Sequence, residues 1–153
     1  MVVLGMTLFS STSFAQENNQ QIADEVMSMV KAQWAAQAAD PTNSAEMDKN
    51  TADDYTEFNG SFATRVDGKA LSSRLGEASG KDSSRRIAAE MLNPKVQVYG
   101  DTAILTYNFA GYVKDKDGEV KPTRAKSTRV FTKINGKWKL VHANFAPDPL
   151  PKD

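Results

Sequence analysis

The sequence contains no cysteine and a single histidine, His142, among its 153 residues. Without thiols there can be no disulfide, no thiolate nucleophile and no cysteine-ligated metal, and one imidazole cannot form a histidine cluster. No metal site and no cofactor are therefore predicted. An excess of one charge is also missing, because 19 basic side chains balance 19 acidic ones. Neither nucleic acid nor an anionic membrane is an expected partner.

Hydrophobic runs are scarce, and the longest occupies residues 1–9. It is shorter than the ~20 residues that a membrane-spanning helix needs. Small and hydroxyl residues follow it, and Ser13-Phe14-Ala15 resembles a signal-peptidase site. Residues 1–15 are therefore predicted to be a cleaved signal peptide, which implies a periplasmic or secreted protein without membrane contact after cleavage. The basic residues that usually precede such a segment are missing, so a buried first strand is the alternative.

The rest of the chain, residues 16–153, is predicted to form a single domain, because its length and mixed composition are ordinary for a globular protein. Between Gln20 and Ala39, apolar residues recur on one face of a helix. Asn43 followed by Glu46 resembles a capping box for a short second helix. Leu71 and Leu75, one turn apart, indicate a third helix.

After Ser84 the pattern changes to the period of two that is typical of strands. Asp117-Gly118 and Asn135-Gly136 are hairpin signals between those strands. Helices followed by a run of antiparallel strands predict an α+β domain, in which three N-terminal helices pack on one face of a strongly curved antiparallel sheet.

The turn at Asn135-Gly136 also predicts the register of the last two strands. A two-residue turn pairs Ile134 with Lys137, and counting back places Arg129 opposite His142. The preceding hairpin is expected to bring further polar side chains to the same face. The predicted ligand-binding residues are Arg129, His142, Asn144, Ser127, Asn108 and Thr106, bordered by Trp138, Leu140 and Phe131.

Apolar walls around a few polar groups are typical of a small-molecule pocket. The alternative is an exposed cross-strand pair of Arg129 and His142, or a structural histidine bonded to the backbone. By the same counting Val141, Ala143 and Phe145 are expected on the opposite, convex face. An exposed apolar patch there predicts self-association, most simply as a homodimer. The alternative is that the third helix or the long first helix covers this face within one subunit.

Several segments resemble the association (hub) domain of calcium/calmodulin-dependent protein kinase II and its bacterial relatives. The matching segments are Asp54-Tyr-Thr-Glu-Phe58, Val66-Asp-Gly68, Leu92-Asn-Pro-Lys-Val96, Gly100-Asp101, Thr128-Arg-Val-Phe131, Asn135-Gly-Lys-Trp138 and Val141-His142. The resemblance covers about residues 20–147. It implies a nuclear transport factor 2-like (cystatin-like) fold with a cone-shaped cavity, and a homo-oligomer.

The resemblance also implies that Arg129 lines a pocket for a small organic anion, with Trp138 and His142 on the next strand. Two positions differ from the family pattern. Asn144 replaces a second histidine, and an arginine is missing from the strand segment 107–112. Weaker binding of an anion is the expected consequence.

The same superfamily contains ketosteroid isomerase-like and SnoaL-like enzymes, which supply a second hypothesis, an enzyme acting on an apolar small molecule. The general base of those isomerases corresponds to Asn59, which cannot accept a proton. Glu57 on the same strand face, or His142, could act as the base instead. The sequence therefore leaves open whether the chain is an exported ligand-binding or oligomerisation domain, or an enzyme.

Overall fold

The computed structural model describes residues 11–81 and 85–148, with side chains from residue 16 onward. Its elements are α1 (Ser11–Ala39), α2 (Ser44–Met47), β1 (Thr51–Asn59), β2 (Val66–Asp67), α3 (Lys69–Gly80), β3 (Arg85–Tyr99), β4 (Thr102–Lys114), β5 (Val120–Ile134) and β6 (Lys137–Pro147). Most of the predicted signal peptide, residues 1–10, lies outside the described residues, so that prediction stays a prediction.

The helices form because of the patterns seen in the sequence, but only one of them is a long N-terminal helix. Ile22, Val26, Val30 and Trp34 form the buried stripe of α1. Asn43 caps α2, its side-chain oxygen accepting from the amide of Glu46 at 3.2 Å, yet α2 is a single turn. The N-terminal layer is thus one long helix, and α3 follows only after two strands. The prediction of three N-terminal helices is wrong in this respect.

The six strands found in the described part of the chain form one sheet in the order β2-β1-β6-β5-β4-β3. The strands β3 to β6 form the predicted antiparallel meander, whereas β1 runs parallel to β6. The sheet is therefore mixed, and the prediction of a purely antiparallel sheet is wrong. Parallel strands need a long connection between them. The segment containing α3 and strands β3 to β5 provides that connection between β1 and β6.

The core lies between α1 and the inner face of the sheet. Phe131, Leu105, Val26 and Val30 are the largest fully buried side chains. Trp34 packs edge-on against the rings of Tyr107 and Phe109, at centroid distances of 5.8 and 5.3 Å. Side chains on β4 alternate between buried and half-exposed over most of its length, which is expected when only one face of the sheet is covered.

Register shifts in β3 and β6 bend the sheet around the helix. In β3 one shift lies between Leu92 and Lys95, where Asn93 has a φ of 50° and precedes a proline. Irregular residues of this kind increase strand bending and twist. The curved sheet leaves a hollow on its inner face that α1 covers only in part.

Candidate functional site

The register of the β5–β6 hairpin agrees with the prediction only near its turn. Pairs run from Ile134 with Lys137 to Phe131 with Leu140, as predicted, but Val130 then pairs with His142. One residue, Val141, is therefore extra and forms a bulge. Because side chains alternate across a strand, a one-residue shift moves every later side chain of β6 to the other face.

The β4–β5 hairpin also departs from the prediction, in this case because of the length of its loop. Asp115 and Glu119 pair across a three-residue loop, with a 2.9 Å hydrogen bond from the amide of Asp115 to the carbonyl of Glu119. Gly118 has a φ of 87°, as the left-handed position of such a loop requires. An odd loop length pairs even-numbered residues with even-numbered ones, so Thr106 lies opposite Thr128. The expectation that this hairpin brings Thr106 and Asn108 to the face of Arg129 is therefore wrong.

The bulge in β6 and the odd-numbered loop between β4 and β5 place the members of the predicted polar cluster on different faces of the sheet. Arg129 and Ser127 are buried on the inner face, and Trp138, 3% exposed, is part of the core. The residues on the outer face are Thr106, Asn108, His142 and Asn144. The expectation that all of these residues share one face is wrong, while their roles in ligand binding stay predictions.

The predicted convex apolar patch is also affected. Ala143 is fully buried and pairs with Arg129, and Phe145 packs against the core. Both side chains therefore lie on the inner face rather than the convex one. The bulge at Val141 is the physical reason for this error as well.

Two of the outer-face residues, His142 and Asn108, have hydrogen-bond partners in the structure. His142 shares a 2.8 Å hydrogen bond between its Nδ1 and the Thr56 hydroxyl, and its ring contacts the exposed Phe58 edge-on at 6.1 Å. Asn108 donates to the carboxylate of Asp148 at 3.2 Å. A wide depression of about 400 Å³ lies beside them, bordered by Thr106, Asn108 and Asn144 among others.

A larger and deeper cavity, of about 510 Å³, lies on the inner face between the sheet and the three helices. Its volume is within the range typical of small-molecule sites. Trp34, Phe62, Phe109 and Phe145 contribute apolar walls. The polar side chains that line it include Gln33, Asp48, Tyr55, Glu57, Asn59, Ser73, Arg86, Tyr107, Ser127 and Arg129.

Arg129 lies on the floor of this cavity and is 5% exposed. Its Nε donates to the hydroxyl of Tyr107 at 3.0 Å, and its Nη1 donates to Oε1 of Gln33 at 2.7 Å. The guanidinium also lies over the ring of Phe145, 5.1 Å from its centroid. No ion pair of Arg129 occurs among the described residues. All the partners of this buried cation are neutral.

Arg86 supplies a second guanidinium to the cavity. It lies over the ring of Phe109 at 4.9 Å, and its Nε is buried without a hydrogen-bond partner in the described part of the chain. Burial lowers the pKa of Arg86, and the positive charge of Arg129 lowers it further. Sequence reasoning missed this residue, because a register shift between Arg86 and Ala88 hides the face on which Arg86 lies.

Glu57 lies on β1, two strands away from Arg129 and on the same inner face of the sheet. Its two oxygens accept hydrogen bonds from the Tyr55 hydroxyl at 2.7 Å and from the Asn59 amide at 2.9 Å. Tyr55, Glu57 and Asn59 share one face because they alternate along the strand. Burial raises the pKa of Tyr55, and the neighbouring charge of Glu57 adds to that effect. The sequence-based candidate Glu57 therefore faces the cavity, whereas the other candidate base, His142, does not.

Asp48, just after α2, is a further cavity carboxylate that sequence reasoning missed. The hydroxyl of Ser73 on α3 donates to it at 2.5 Å. Burial nevertheless raises the pKa of Asp48 above its ordinary value of 3.8, because the desolvation of the charged form outweighs this hydrogen bond. No sequence signal marks Asp48, since its position depends on how α3 packs against α2.

Two further types of site were sought. In the described ranges no helix is both long and apolar enough to cross a bilayer. Across those same residues no three carboxylate or imidazole side chains are grouped so that they could hold a metal ion.

Comparisons with known proteins place this geometry in a family. Residues 23–149 match the calcium/calmodulin dependent protein kinase II association domain. No curated protein matches the chain in sequence.

Three solved structures illustrate the likeness. A proposed association domain of the same kinase type from Xanthomonas campestris has a TM-score of 0.70 at 18% identity, covering 82% of this chain and 86% of its own. The association domain of the C. elegans kinase has a TM-score of 0.64 at 20% identity, covering 90% and 99%. A proposed ketosteroid isomerase from Parabacteroides distasonis has a TM-score of 0.61 at 20% identity, covering 75% and 83%.

At these identities the structures establish the fold alone. Further matches include nuclear transport factor 2-like proteins and a protein with a cystatin-like fold, so the predicted α+β fold of that type is confirmed. The family match spans most of the sequence, including every strand of the sheet. The chain belongs to the calcium/calmodulin dependent protein kinase II association domain family.

Proposed function

We propose that the protein is an exported, self-associating domain whose inner cavity holds a small organic anion against Arg129. The observation that carries this proposal is the environment of Arg129, which is 5% exposed and, within the described residues, bonded only to neutral groups. A buried charge without a counter-ion is costly, and buried charges in proteins are usually paired. A bound carboxylate would supply the missing counter-charge and could accept bidentate hydrogen bonds.

Arg86 strengthens this reasoning, because it adds a second cation to the same cavity. An anion that approaches both guanidinium groups relieves their mutual repulsion, which is one cause of the lowered pKa of Arg86. The arginine that the resemblance expects in strand β4 is absent, and Arg86 on β3 offers a positive charge from a different strand. His142, on the outer face, is not part of the proposed anion site.

A thermal-shift assay with a set of small carboxylates tests the anion site. A ligand present at a hundred times its dissociation constant adds about 2.7 kcal/mol to the free energy of unfolding. We expect stabilisation of the wild type and of the outer-face control His142→Ala, and none of Arg129→Gln. Equal stabilisation of Arg129→Gln, or no stabilisation of any of the three by millimolar carboxylates, would exclude the site.

We propose that self-association uses the outer face of the sheet, with a second copy of the chain as the partner. The family is one of association domains, and this face carries Phe58, 49% exposed, whose ring contacts His142, and half-buried Val130, which pairs with His142. Light scattering at tens of micromolar protein is expected to give the mass of an oligomer, most simply a dimer. Val130→Lys should lower that mass, whereas Val120→Lys, an exposed outer-face position at the far end of β5, should not. A monomeric wild type would refute the proposal.

Export is a separate element of the proposal and rests on the N-terminal sequence. The expected mature chain begins at Gln16, after the predicted site at Ala15. N-terminal sequencing of the protein from fractionated cells tests this. A chain that retains residues 1–15 and stays with the cytoplasmic fraction would contradict it.

The second candidate function is proton transfer on a small apolar molecule, with Glu57 as the base. It is supported by the position of Glu57 in the cavity, held by Tyr55 and Asn59, and by the fold shared with a proposed ketosteroid isomerase. A screen of isomerase, dehydratase and esterase substrates is the test. Turnover that survives Glu57→Gln unchanged, or no turnover at all, would exclude Glu57 as a catalytic base.

A further inference from the structure

The two types of charge in the cavity lie on one row across the sheet. Glu57 on β1 pairs with Ala143 on β6, and Ala143 pairs with Arg129 on β5. Residues that pair directly share a face, so Glu57 and Arg129 both point inward with only an alanine side chain between them. Adjacent strands are about 4.8 Å apart, which puts the backbones of β1 and β5 roughly 10 Å apart.

Despite this proximity, the carboxylate and the guanidinium do not bond to each other. Glu57 accepts from Tyr55 and Asn59, while Arg129 donates to Tyr107 and Gln33. No ion pair joins them in the part of the chain that the structure describes. Each charge is held in place by neutral groups and retains capacity for a further hydrogen bond.

Asp48 and Arg86 follow the same separation of negative from positive side chains across the cavity. Asp48 lies on the side of Glu57, whose negative charge contributes to the raised pKa of Asp48. Arg86 lies on the side of Arg129, beyond β4 in the sheet order. Among the described residues, the charged side chains that line the cavity are two carboxylates and two guanidinium groups, so this part of the chain gives the cavity a negative side and a positive side.

The geometry points to an amino acid-type zwitterion as the ligand, with its carboxylate on Arg129 and Arg86 and its ammonium group on Glu57. This inference rests on the proposed anion site and specifies its ligand class. A dicarboxylate would place its second negative charge near Glu57 and Asp48, and a simple alkanoate would leave Glu57 without a cation. Only one residue of the row, Ala143, separates the two charged residues, and a ligand with a short carbon chain between its charges suits this arrangement.

Titration calorimetry with matched ligands tests the inference on the wild-type protein. β-Alanine and δ-aminovalerate are compared with propionate and valerate, which lack only the ammonium group, with propylamine, which lacks the carboxylate, and with succinate. A hydrogen bond between charged groups contributes about 1.5–3 kcal/mol, so the better aminoalkanoate should bind about tenfold or more tightly than its alkanoate. Propylamine and succinate should bind more weakly than that aminoalkanoate.

The possible results separate this inference from the proposed function. If propionate or valerate binds as tightly as its amino derivative, or succinate binds most tightly, the anion site stands and the zwitterion is refuted. If no member of the series binds at millimolar concentration, both are refuted. Because these comparisons use the wild type, they do not depend on the folding of any variant.

Variants then assign the ammonium contact to one residue. Glu57→Gln should reduce the preference for the aminoalkanoate over its alkanoate to less than about twofold, while the alkanoate retains its affinity. Glu90→Gln, an exposed carboxylate on β3, is the matched control and should keep the full preference. An unchanged preference in a folded Glu57→Gln protein would overturn the assignment.

Discussion

Two glycines of α3 provide a matched test of how this helix closes the cavity. A Cβ at Gly76 would meet no atom within 4 Å, whereas a Cβ at Gly80 would lie 2.3 Å from the carbonyl oxygen of Pro41. Pro41 belongs to the connection between α1 and α2. The close approach at Gly80, together with the hydrogen bond from Ser73 to Asp48, docks α3 against the wall formed by that connection and α2.

The same substitution should therefore have opposite effects at the two positions. In a helix interior alanine is more favourable than glycine by about 1 kcal/mol, so Gly76→Ala should raise the free energy of unfolding by about that amount. At Gly80 the new methyl group must displace backbone, and overpacking of this kind typically costs about 1–3 kcal/mol. Because Gly80 ends the helix, little propensity gain offsets this cost.

Thermal unfolding of the two variants beside the wild type is the assay. For a protein of this size 1 kcal/mol corresponds to roughly 2–4 °C. We expect the melting temperature of Gly76→Ala to rise by about that much and that of Gly80→Ala to fall by at least as much. Equal melting temperatures for the two variants would refute the docking of α3 at Pro41, and with it this wall of the cavity.

The remaining predictions concern charge, the outer face and the core. The pKa of Asp48 is raised in the folded state, so its ionised form lowers stability above that pKa, and the cost disappears as the pH falls below the ordinary value of 3.8. Asp48→Asn should accordingly melt higher than the wild type at neutral pH and equally near pH 3, and a gain that is the same at both values would contradict this. His142→Ala should lower the free energy of unfolding by about 1 kcal/mol, because the hydrogen bond to Thr56 is lost. Titration calorimetry should show a carboxylate affinity within about twofold of that of the wild type; a larger loss would indicate that His142 contributes to the anion site. Phe131→Ala should cost about 3–5 kcal/mol in urea unfolding, because this 1% exposed side chain is at the centre of the core; a cost below about 1 kcal/mol would refute its central position.

The fold was largely predictable because its signals are local. The stripe that includes Val26 and Val30 identifies α1, and Asn135-Gly136 identifies the last hairpin, whose first pairs are as predicted. The parallel pairing of β1 with β6 was not predictable in this way. It depends on contacts between residues far apart in the sequence, for which a single strand pattern carries no signal.

The candidate site was predicted only in part, since its composition depends on two single-residue irregularities. The bulge at Val141 contains neither glycine nor proline, and the loop before Glu119 has an odd number of residues. Each reverses which face a polar residue occupies. Arg129 was correctly predicted to face inward, because β5 pairs with β4 without any register shift and side chains therefore alternate regularly along it. His142 and Asn144 were assigned to the wrong face.

The central claim is that the ligand lies in the inner cavity at Arg129. A crystal structure of the protein grown with para-bromobenzoate tests it directly, because the anomalous signal of bromine locates the ligand independently of any interpretation of density. We predict a bromine peak inside the cavity, with the carboxylate about 2.7–2.9 Å from a guanidinium nitrogen of Arg129. A bromine peak only in the outer depression beside Asn108 and Asn144, or an empty cavity at saturating ligand, would contradict the claim.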